Sequence, residues 1–242
     1  MQANLPPISE IWVYLSGSPL LALVLTLSAY LLGLMLYERS DRNPLANPVL
    51  IAVILVTLSI NVLDMPYAKY FEGAQFVHFL LGTATVSLAI PIYKGFASLK
   101  GRMGILTLSL IAGGTTSIFT AVGMARWLKV DEPLVQGLVA KSITAPIAMG
   151  IAERVQASPT LTAVFAVSTG ILGAVLGRYV LDALRITAWW QRGFALGVAA
   201  HGIGTSRAFS VNPEAGAYAS LGMGLHGILG AVLIPYAVAW WF

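Results

Sequence analysis

Residues 196–209 read LGVAAHGIGTSRAF, and they extend the apolar run WWQRGFA of residues 189–195. A histidine, a threonine, a serine and an arginine stand at the end of this run, although only 10% of the chain is charged. Two glycines between them weaken a helix, because glycine loses more backbone freedom on folding than other residues. The stretch therefore predicts an interrupted helix, and the solvent around that helix decides what its polar groups do.

The composition indicates that this solvent is a lipid bilayer. Hydrophobic residues form 57% of the 242 positions and the mean hydropathy is +0.81, whereas soluble domains are about half apolar and a quarter charged. A span needs about 20 apolar residues to cross a hydrocarbon core roughly 30 Å thick. We therefore expect an all-α polytopic integral membrane protein with a single transmembrane domain over residues 1–242. The candidate hydrophobic segments are residues 11–37, 47–66, 76–95, 103–128, 133–151, 157–184, 189–208 and 213–241.

The composition also disfavours several kinds of site and partner. The chain has no cysteine, which excludes disulfides and thiolate ligands, and its three separated histidines lack zinc-type spacing. We expect neither a metal nor a cofactor. The net charge of +4 fits basic side chains at the ends of membrane helices and requires no nucleic acid. No enzyme activity is expected, because no carboxylate accompanies His201 to orient it as a base.

The sequence also carries an internal repeat. Five short stretches of the first half recur in the same order between 111 and 115 residues later, among them LGTATVSLA from Leu81 and LGVAAHGIG from Leu196. A duplication of four hydrophobic segments explains this order better than chance matches in an apolar alphabet. The predicted halves are residues 11–130 and 131–242, and transporters built from such halves bind substrate where the halves meet.

The number of crossings in each half decides how the halves are related. Four complete crossings would make them parallel, whereas inverted halves need an odd number. Inversion follows if the repeat partners 76–95 and 189–208 are broken or re-entrant helices. We expect these two segments to meet near the middle of the membrane around a pseudo-two-fold axis.

A broken helix in the membrane exposes amide hydrogens that, together with Arg207, can hold a carboxylate or a phosphate. Such backbone is tolerated at membrane depth only where it is buried in protein or lines a watery cavity. Arg207 has an alternative role, in which it extends to the lipid headgroups from a helix end. The candidate binding residues of the two segments are Thr83, Thr85, His201, Gly202, Gly204, Thr205, Ser206 and Arg207.

A further polar interruption lies in residues 138–150, LVAKSITAPIAMG. Lys141 stands inside an apolar segment, where an ammonium costs several kcal/mol unless it faces a cavity or a partner. Pro146 cannot donate to the carbonyl of Ser142, so an acceptor is left near the lysine. Lys141, Ser142, Thr144 and Pro146 are therefore candidate substrate-binding residues, and Lys141 is the strongest of them.

Other polar residues have a functional and a structural interpretation. His226 lies in GMGLHGILG, an otherwise apolar stretch, and is expected within reach of the polar cluster. His201 and His226 are equally explained as packed, hydrogen-bonded histidines. Arg178, Asp182 and Arg185 follow each other at spacings of four and three, which favours a structural ion pair on one helix face.

Four stretches carry a family resemblance. AKSITAPIA of residues 140–148, GILGAVLG of residues 170–177, HGIGTSRA of residues 201–208 and GMGLHGILGA of residues 222–231 resemble signature stretches of the LrgB/CidB family. The similarity runs from about Pro48 to the carboxyl end.

The resemblance implies a membrane protein with one of two functions. Members are described as holin-like or antiholin-like regulators of murein hydrolase export and lysis, the plant relative is the plastidial glycolate/glycerate translocator, and bacterial relatives are linked to pyruvate uptake. The resemblance also implies a bacterial cytoplasmic (inner) membrane location, a homo-oligomer and a small LrgA/CidA-type membrane partner. Many members have proline where this chain has Ala140 and asparagine where it has His226.

Two hypotheses follow. In the first, the protein is a secondary transporter of small carboxylates such as glycolate, glycerate or pyruvate, and it works by alternating access. Lys141 and Arg207 neutralise the anion, while Ser142, Thr144, Thr205 and Ser206 bind its oxygens. In the second, the protein is a holin-like or antiholin-like oligomeric regulator, whose polar residues line contacts between subunits or a passive pore.

Overall fold

The computed structural model describes residues 19–87, 90, 93 and 101–241. Every regular element within these ranges is a helix, as the sequence predicts. The chain forms two compact units, Met1–Ala84 and Thr85–Phe242. These units do not coincide with the predicted halves 11–130 and 131–242, which remain a prediction from the sequence.

The first unit contains two α-helices joined by a 3₁₀ turn, followed by most of a third α-helix. The Asn47 side chain accepts hydrogen bonds from the first amides of the second helix and so caps it. Gly33 lets the first two helices approach, because a Cβ there would lie 2.7 Å from the carbonyl oxygen of Pro48. Thr26 Oγ1 and Tyr70 Oη, 2.8 Å apart, connect the first helix to the third. The elements are α1 (Pro19–Arg39), a 3₁₀ turn (Pro44–Ala46), α2 (Pro48–Val62) and α3 (Tyr67–Ser87), which continues past the unit boundary.

The second unit contains six helices in its described residues, and it holds most of the predicted site. They are α4 (Met103–Trp127), α5 (Glu132–Leu138), α6 (Ala145–Arg154), α7 (Pro159–Ala183), α8 (Trp189–Val211) and α9 (Pro213–Trp241). In the described part of the chain, four helices are long and apolar enough to cross a membrane, namely α1, α4, α7 and α9. The protein is therefore a polytopic membrane protein.

Contacts between helix ends define the two ends of the second unit. At one end, Arg102 donates to Tyr218 Oη at 2.9 Å and lies over the ring of Trp190, so α4, α8 and α9 begin together. At the other end, Arg126 pairs with Glu132 at 2.8 Å and donates to the carbonyl oxygen of Trp241. Here α4 and α9 end and α5 begins. We call these the Arg102 end and the Arg126 end.

Helices α5 and α6 form a re-entrant pair at the Arg126 end. They have 7 and 10 residues, lengths of about 10 and 15 Å, so neither crosses a bilayer. Val130, which precedes α5, and Val155, which follows α6, pack on one hydrophobic cluster together with the last turns of α4 and α9. The segment thus enters and leaves at the same end of the unit, and residues 139–144 form its tip.

Helix α8 also folds back on itself, from the Arg102 end. His201 has φ 41° and ψ −130°, the conformation of the first central residue of a type II′ turn. A Cβ on Gly204 would lie 2.7 Å from the carbonyl oxygen of Leu196, whereas eight residues of continuous helix separate two groups by about 12 Å. Residues 189–200 and 202–211 are therefore the two arms of a second re-entrant hairpin.

These hairpins correct the expected arrangement of spans. Residues 189–208 are interrupted as predicted, although the break lies at His201 and not at the glycines. Residues 133–151, expected as one candidate span, are a second hairpin. In the described part of the half 131–242, two helices, α7 and α9, are candidate membrane spans, and the inverted relation of the halves stays a prediction. Residues 76–87 are continuous helix; the rest of segment 76–95 lies largely outside the described residues, and its meeting with 189–208 stays a prediction.

Glycines bring the hairpin α8 close to the crossing helices, as is usual in membranes. Gly193 and Gly197 on its first arm contact the backbone of Ala215 and Ala219 on α9. Gly173 on α7 faces Ala200, at 2.5 Å from a Cβ built on the glycine. Side chains at these positions would separate the helices.

Replacement of Gly197 by alanine should therefore destabilise the second unit. The new Cβ would overlap the carbonyl of Ala219, and overpacking of this kind costs about 1–3 kcal/mol. We expect Gly197→Ala to lower the melting temperature of the purified protein. The matched control is Gly123→Ala on α4, where no described residue lies within 4 Å of a built Cβ, and it should melt at or above the parental temperature. Equal melting of the two variants would contradict the close contact between α8 and α9.

Candidate functional site

The tip of the α5–α6 hairpin places a charged side chain inside the second unit. Lys141 Nζ donates a hydrogen bond to Ser117 Oγ of α4 at 2.9 Å, and both residues are half-buried. No carboxylate among the described residues forms an ion pair with Lys141. The ammonium therefore keeps two N–H groups available beyond its bond to Ser117.

Lys141 and Ser117 line a cavity of about 860 Å³. Its walls come from α4, α7 and the first arm of α8, and it extends toward Trp190 and Gln191 at the Arg102 end. Lys141 is the one charged residue among the described residues that line it. An ammonium in a largely apolar membrane cavity attracts an anion or water, because no negative charge lines the described part of the cavity.

Behind Lys141, the next residue forms a buried polar pair. Ser142 Oγ lies 3.1 Å from His226 Nε2 of α9, and the two residues are only 2% and 4% exposed. Gly114 of α4 leaves room for the imidazole, since a Cβ there would lie 2.9 Å from its Cε1 atom. His226 Nδ1 is buried and has no hydrogen-bond partner among the described residues. His226 is thus within reach of the Lys141 region, as expected from the sequence.

The tip of α8 approaches the same region. His201 is 3% exposed, and its Nε2–H donates to the carbonyl oxygen of Ala166 on α7 at 2.8 Å. Thr205 Oγ1 donates to the carbonyl oxygen of His201 at 2.7 Å, which satisfies a backbone group at the turn. Thr205 Oγ1 also lies 3.7 Å from the sulfur of Met223 on α9, one turn before His226. The two hairpin tips therefore contact neighbouring turns of α9.

Thr144 and Pro146, the other two candidate binding residues in residues 138–150, lie at the start of α6. Thr144 is the N-cap residue of α6, but its side chain makes no capping bond, and its buried Oγ1 has no partner in the described part of the chain. Pro146 lies in the first turn of α6, where a missing N–H costs no helical hydrogen bond. These residues start the return arm of the hairpin.

The other candidate binding residues of segments 76–95 and 189–208 do not share one environment. Gly202 lies near Met223, Gly204 packs on the first arm of α8, and Ser206 is exposed. Thr83 is exposed in α3 and donates to the carbonyl oxygen of Leu80. The Thr85 side chain lies outside the described residues.

Arg207 lines a different cavity from Lys141. This second cavity, of about 330 Å³, lies between the two arms of α8, α7 and the start of α9. Asp182, which also lines it, pairs with Arg178 at 3.6 Å and with Arg192 of α8 at 2.7 Å. The predicted ion pair on α7 is therefore confirmed for Arg178, while Arg192 takes the place expected for Arg185.

Helix α4 contributes residues to the site that were not predicted from the sequence. Ser109, Gly113 and Ser117 follow each other at intervals of four, and all three line the large cavity. This spacing places small and hydroxyl-bearing residues on one helix face, a signal that the sequence does contain. Within the described ranges, no group of three His, Asp or Glu side chains is placed to hold a metal ion.

Comparison with known proteins finds sequence relatives that match nearly the whole chain. The pattern of the LrgB-like family matches residues 26–240. The uncharacterized protein YwbG of Bacillus subtilis is 33% identical over 220 residues, 91% of this chain and 97% of that protein. The holin-like protein CidB of Staphylococcus aureus strain Mu50 is 27% identical over 219 residues, 90% of this chain and 95% of that protein. No solved structure matches the chain significantly.

The Ser142–His226 pair generates a prediction about stability. His226→Ala removes the partner of the buried Ser142 hydroxyl and leaves empty space beside Gly114, and a buried group left unpaired costs about 1–3 kcal/mol. His226→Asn keeps an amide that can bond the hydroxyl, so it should melt between the alanine variant and the parent. Thermal unfolding of the three purified proteins is the measurement. If both variants melt like the parent, the pair does not stabilise the fold.

Proposed function

The chain belongs to the LrgB-like family, and we propose that it is a secondary carrier of small monocarboxylates such as glycolate, glycerate or pyruvate in the bacterial cytoplasmic membrane. One observation carries this proposal: the Lys141 ammonium faces a cavity of about 860 Å³ within a membrane-spanning unit and bonds only a hydroxyl among the described residues. An ionisable residue at such a position usually serves a substrate or ion pathway. A carboxylate bound at Nζ supplies the missing negative charge.

Ser117 gives the bound anion a second donor. Its Oγ accepts a hydrogen bond from Lys141, so its own O–H hydrogen can point to a carboxylate oxygen beside the ammonium. The anion is then held by α4 and by the α5–α6 tip at once. In this arrangement Ser142 and His226 support the tip from behind, and Arg207 belongs to the separate second cavity.

The two hairpins support a mechanism of alternating access. The cavity leads from the Arg102 end to Lys141, whereas a hydrophobic cluster that includes Val139, Ile143 and Ile151 fills the unit toward the Arg126 end. Access from that end requires the α5–α6 hairpin to move away from α4 and α9. Discontinuous helices at the substrate site are a general feature of secondary transporters.

The second candidate is a holin-like oligomeric regulator acting with a small LrgA/CidA-type partner. The similarity to CidB, a holin-like protein, favours it. Under this hypothesis the polar tips line a passive pore or contacts between subunits, and no substrate is recognised.

Uptake into proteoliposomes separates the two functions. We expect saturable uptake of labelled glycolate, glycerate or pyruvate, accelerated by the same anion loaded inside the vesicles. A passive pore gives linear concentration dependence and no acceleration by internal anion. Vesicles without protein provide the background.

Lys141→Ala should abolish uptake and leave the fold intact. The lysine bonds Ser117 and no described carboxylate, so its removal strands no buried partner charge. We expect monodisperse protein with a near-parental melting temperature and an initial uptake rate at background. The matched control is Lys69→Ala, which removes an exposed lysine of α3 and should transport at the parental rate. Parental uptake by a well-folded Lys141→Ala protein would contradict the carrier proposal.

Lys141→Arg tests whether a positive charge alone is sufficient. The guanidinium is planar and larger than an ammonium, so it does not reproduce a point charge in contact with Ser117. We expect uptake at least tenfold slower than that of the parent. A parental rate would mean that the site requires charge but no defined geometry.

A further inference from the structure

The cavity around Lys141 is longer than a small carboxylate needs. Ser109, Gly113 and Ser117 lie at intervals of four on α4 and all line it, so this stripe extends about 12 Å at 1.5 Å per residue. On α7, the lining runs from Thr169 to Leu181, about 18 Å of helix. Lys141 contacts the Ser117 end of the stripe. A two- or three-carbon acid held by Lys141 would fill only the inner end of this space.

The walls beyond Lys141 are mostly apolar. They include Leu106 of α4, Leu172 and Leu176 of α7, and Phe194 of α8, while the uncharged polar residues Ser109, Thr169 and Gln191 also line them. These surfaces gain free energy by covering methylene groups, whereas a hydroxyl or a second carboxylate placed there loses water without a charged partner. The cavity therefore has one anion position and a long apolar compartment.

We infer that the preferred substrates are monocarboxylates whose apolar body is longer than that of glycolate or pyruvate, and that dicarboxylates are excluded. This inference rests on the proposed function, because it assumes that the anion binds at Lys141. The carboxylate lies beside the Lys141–Ser117 pair and accepts from both, and the hydrocarbon body extends along the α4 stripe toward Ser109.

Six-carbon ligands that differ only in charge test the inference. The full chain in lipid nanodiscs is titrated with hexanoate, hexanamide and adipate, and with acetate as the short anion, and binding is followed by the shift in melting temperature. We expect hexanoate to bind at least tenfold more tightly than acetate. Hexanamide, which lacks the charge, and adipate, which carries a second one, should give no saturable shift. Lys141→Ala should abolish the response to both monocarboxylates.

A steric variant locates the hydrocarbon body. Ser109→Phe places a ring in the outer part of the cavity, so it should lower the ratio of hexanoate to acetate affinity at least fivefold. The matched control is Leu108→Phe on the same helix, at an exposed residue that does not line the cavity, and it should keep the parental ratio.

The outcomes distinguish this inference from the carrier proposal. Equal affinity for acetate and hexanoate, or saturable binding of adipate, would overturn the inference and leave the carrier proposal standing. If hexanoate and acetate shift the melting temperature equally in the parent and in Lys141→Ala, both the inference and the carrier proposal are wrong. A Ser109→Phe variant with the parental ratio would also refute the proposed position of the hydrocarbon body.

Discussion

Backbone polar groups cannot be left without partners inside a bilayer, and the second unit is organised around this constraint. Two stretches of non-helical backbone, residues 139–144 and the turn at His201, lie at the tips of hairpins that enter from opposite ends. Such backbone is tolerated only where protein or a watery cavity surrounds it. The crossing helices α4, α7 and α9 supply that surrounding, and the carbonyl at the α8 turn is satisfied by Thr205. The site exists because the hairpin tips bring polar groups to a depth where a continuous apolar helix would bring none.

Small residues allow the crossing helices to enclose these tips. Gly114 makes room for the His226 imidazole and Gly170 for that of His201, so two buried histidines fit between closely packed helices. Gly193 and Gly197 let the hairpin α8 lie directly against the backbone of α9. The same contacts limit how the unit can move. Helices α8 and α9 are joined through backbone contacts, whereas the α5–α6 hairpin packs mainly through aliphatic side chains, which can repack at lower cost.

The charges of the second unit are divided between two places with different chemistry. In the second cavity, Arg178 and Arg192 share Asp182, and the main-chain carbonyl of Ile186 accepts a further bond from Arg192. Each of these two guanidinium groups has a carboxylate partner, and the network ties α7 to α8. Lys141 differs because its described partner is a neutral hydroxyl. That difference, and not the number of basic residues, is why anion binding is assigned to Lys141.

The sequence by itself determined the membrane class, the family, the interruption of residues 189–208 and the unusual position of Lys141. These properties depend on local composition. An apolar run, a glycine pair or a lysine within a hydrophobic segment predicts the same property whatever the fold of the rest of the chain. Only the tertiary structure decided that residues 133–151 return to the end from which they entered, because a hydropathy profile records apolar content and not direction. It also separated Arg207 from Lys141 and brought Ser117 and His226 to the α5–α6 tip. Those relations join residues 24 to 84 positions apart, and they are set by how helices pack, which no local pattern specifies.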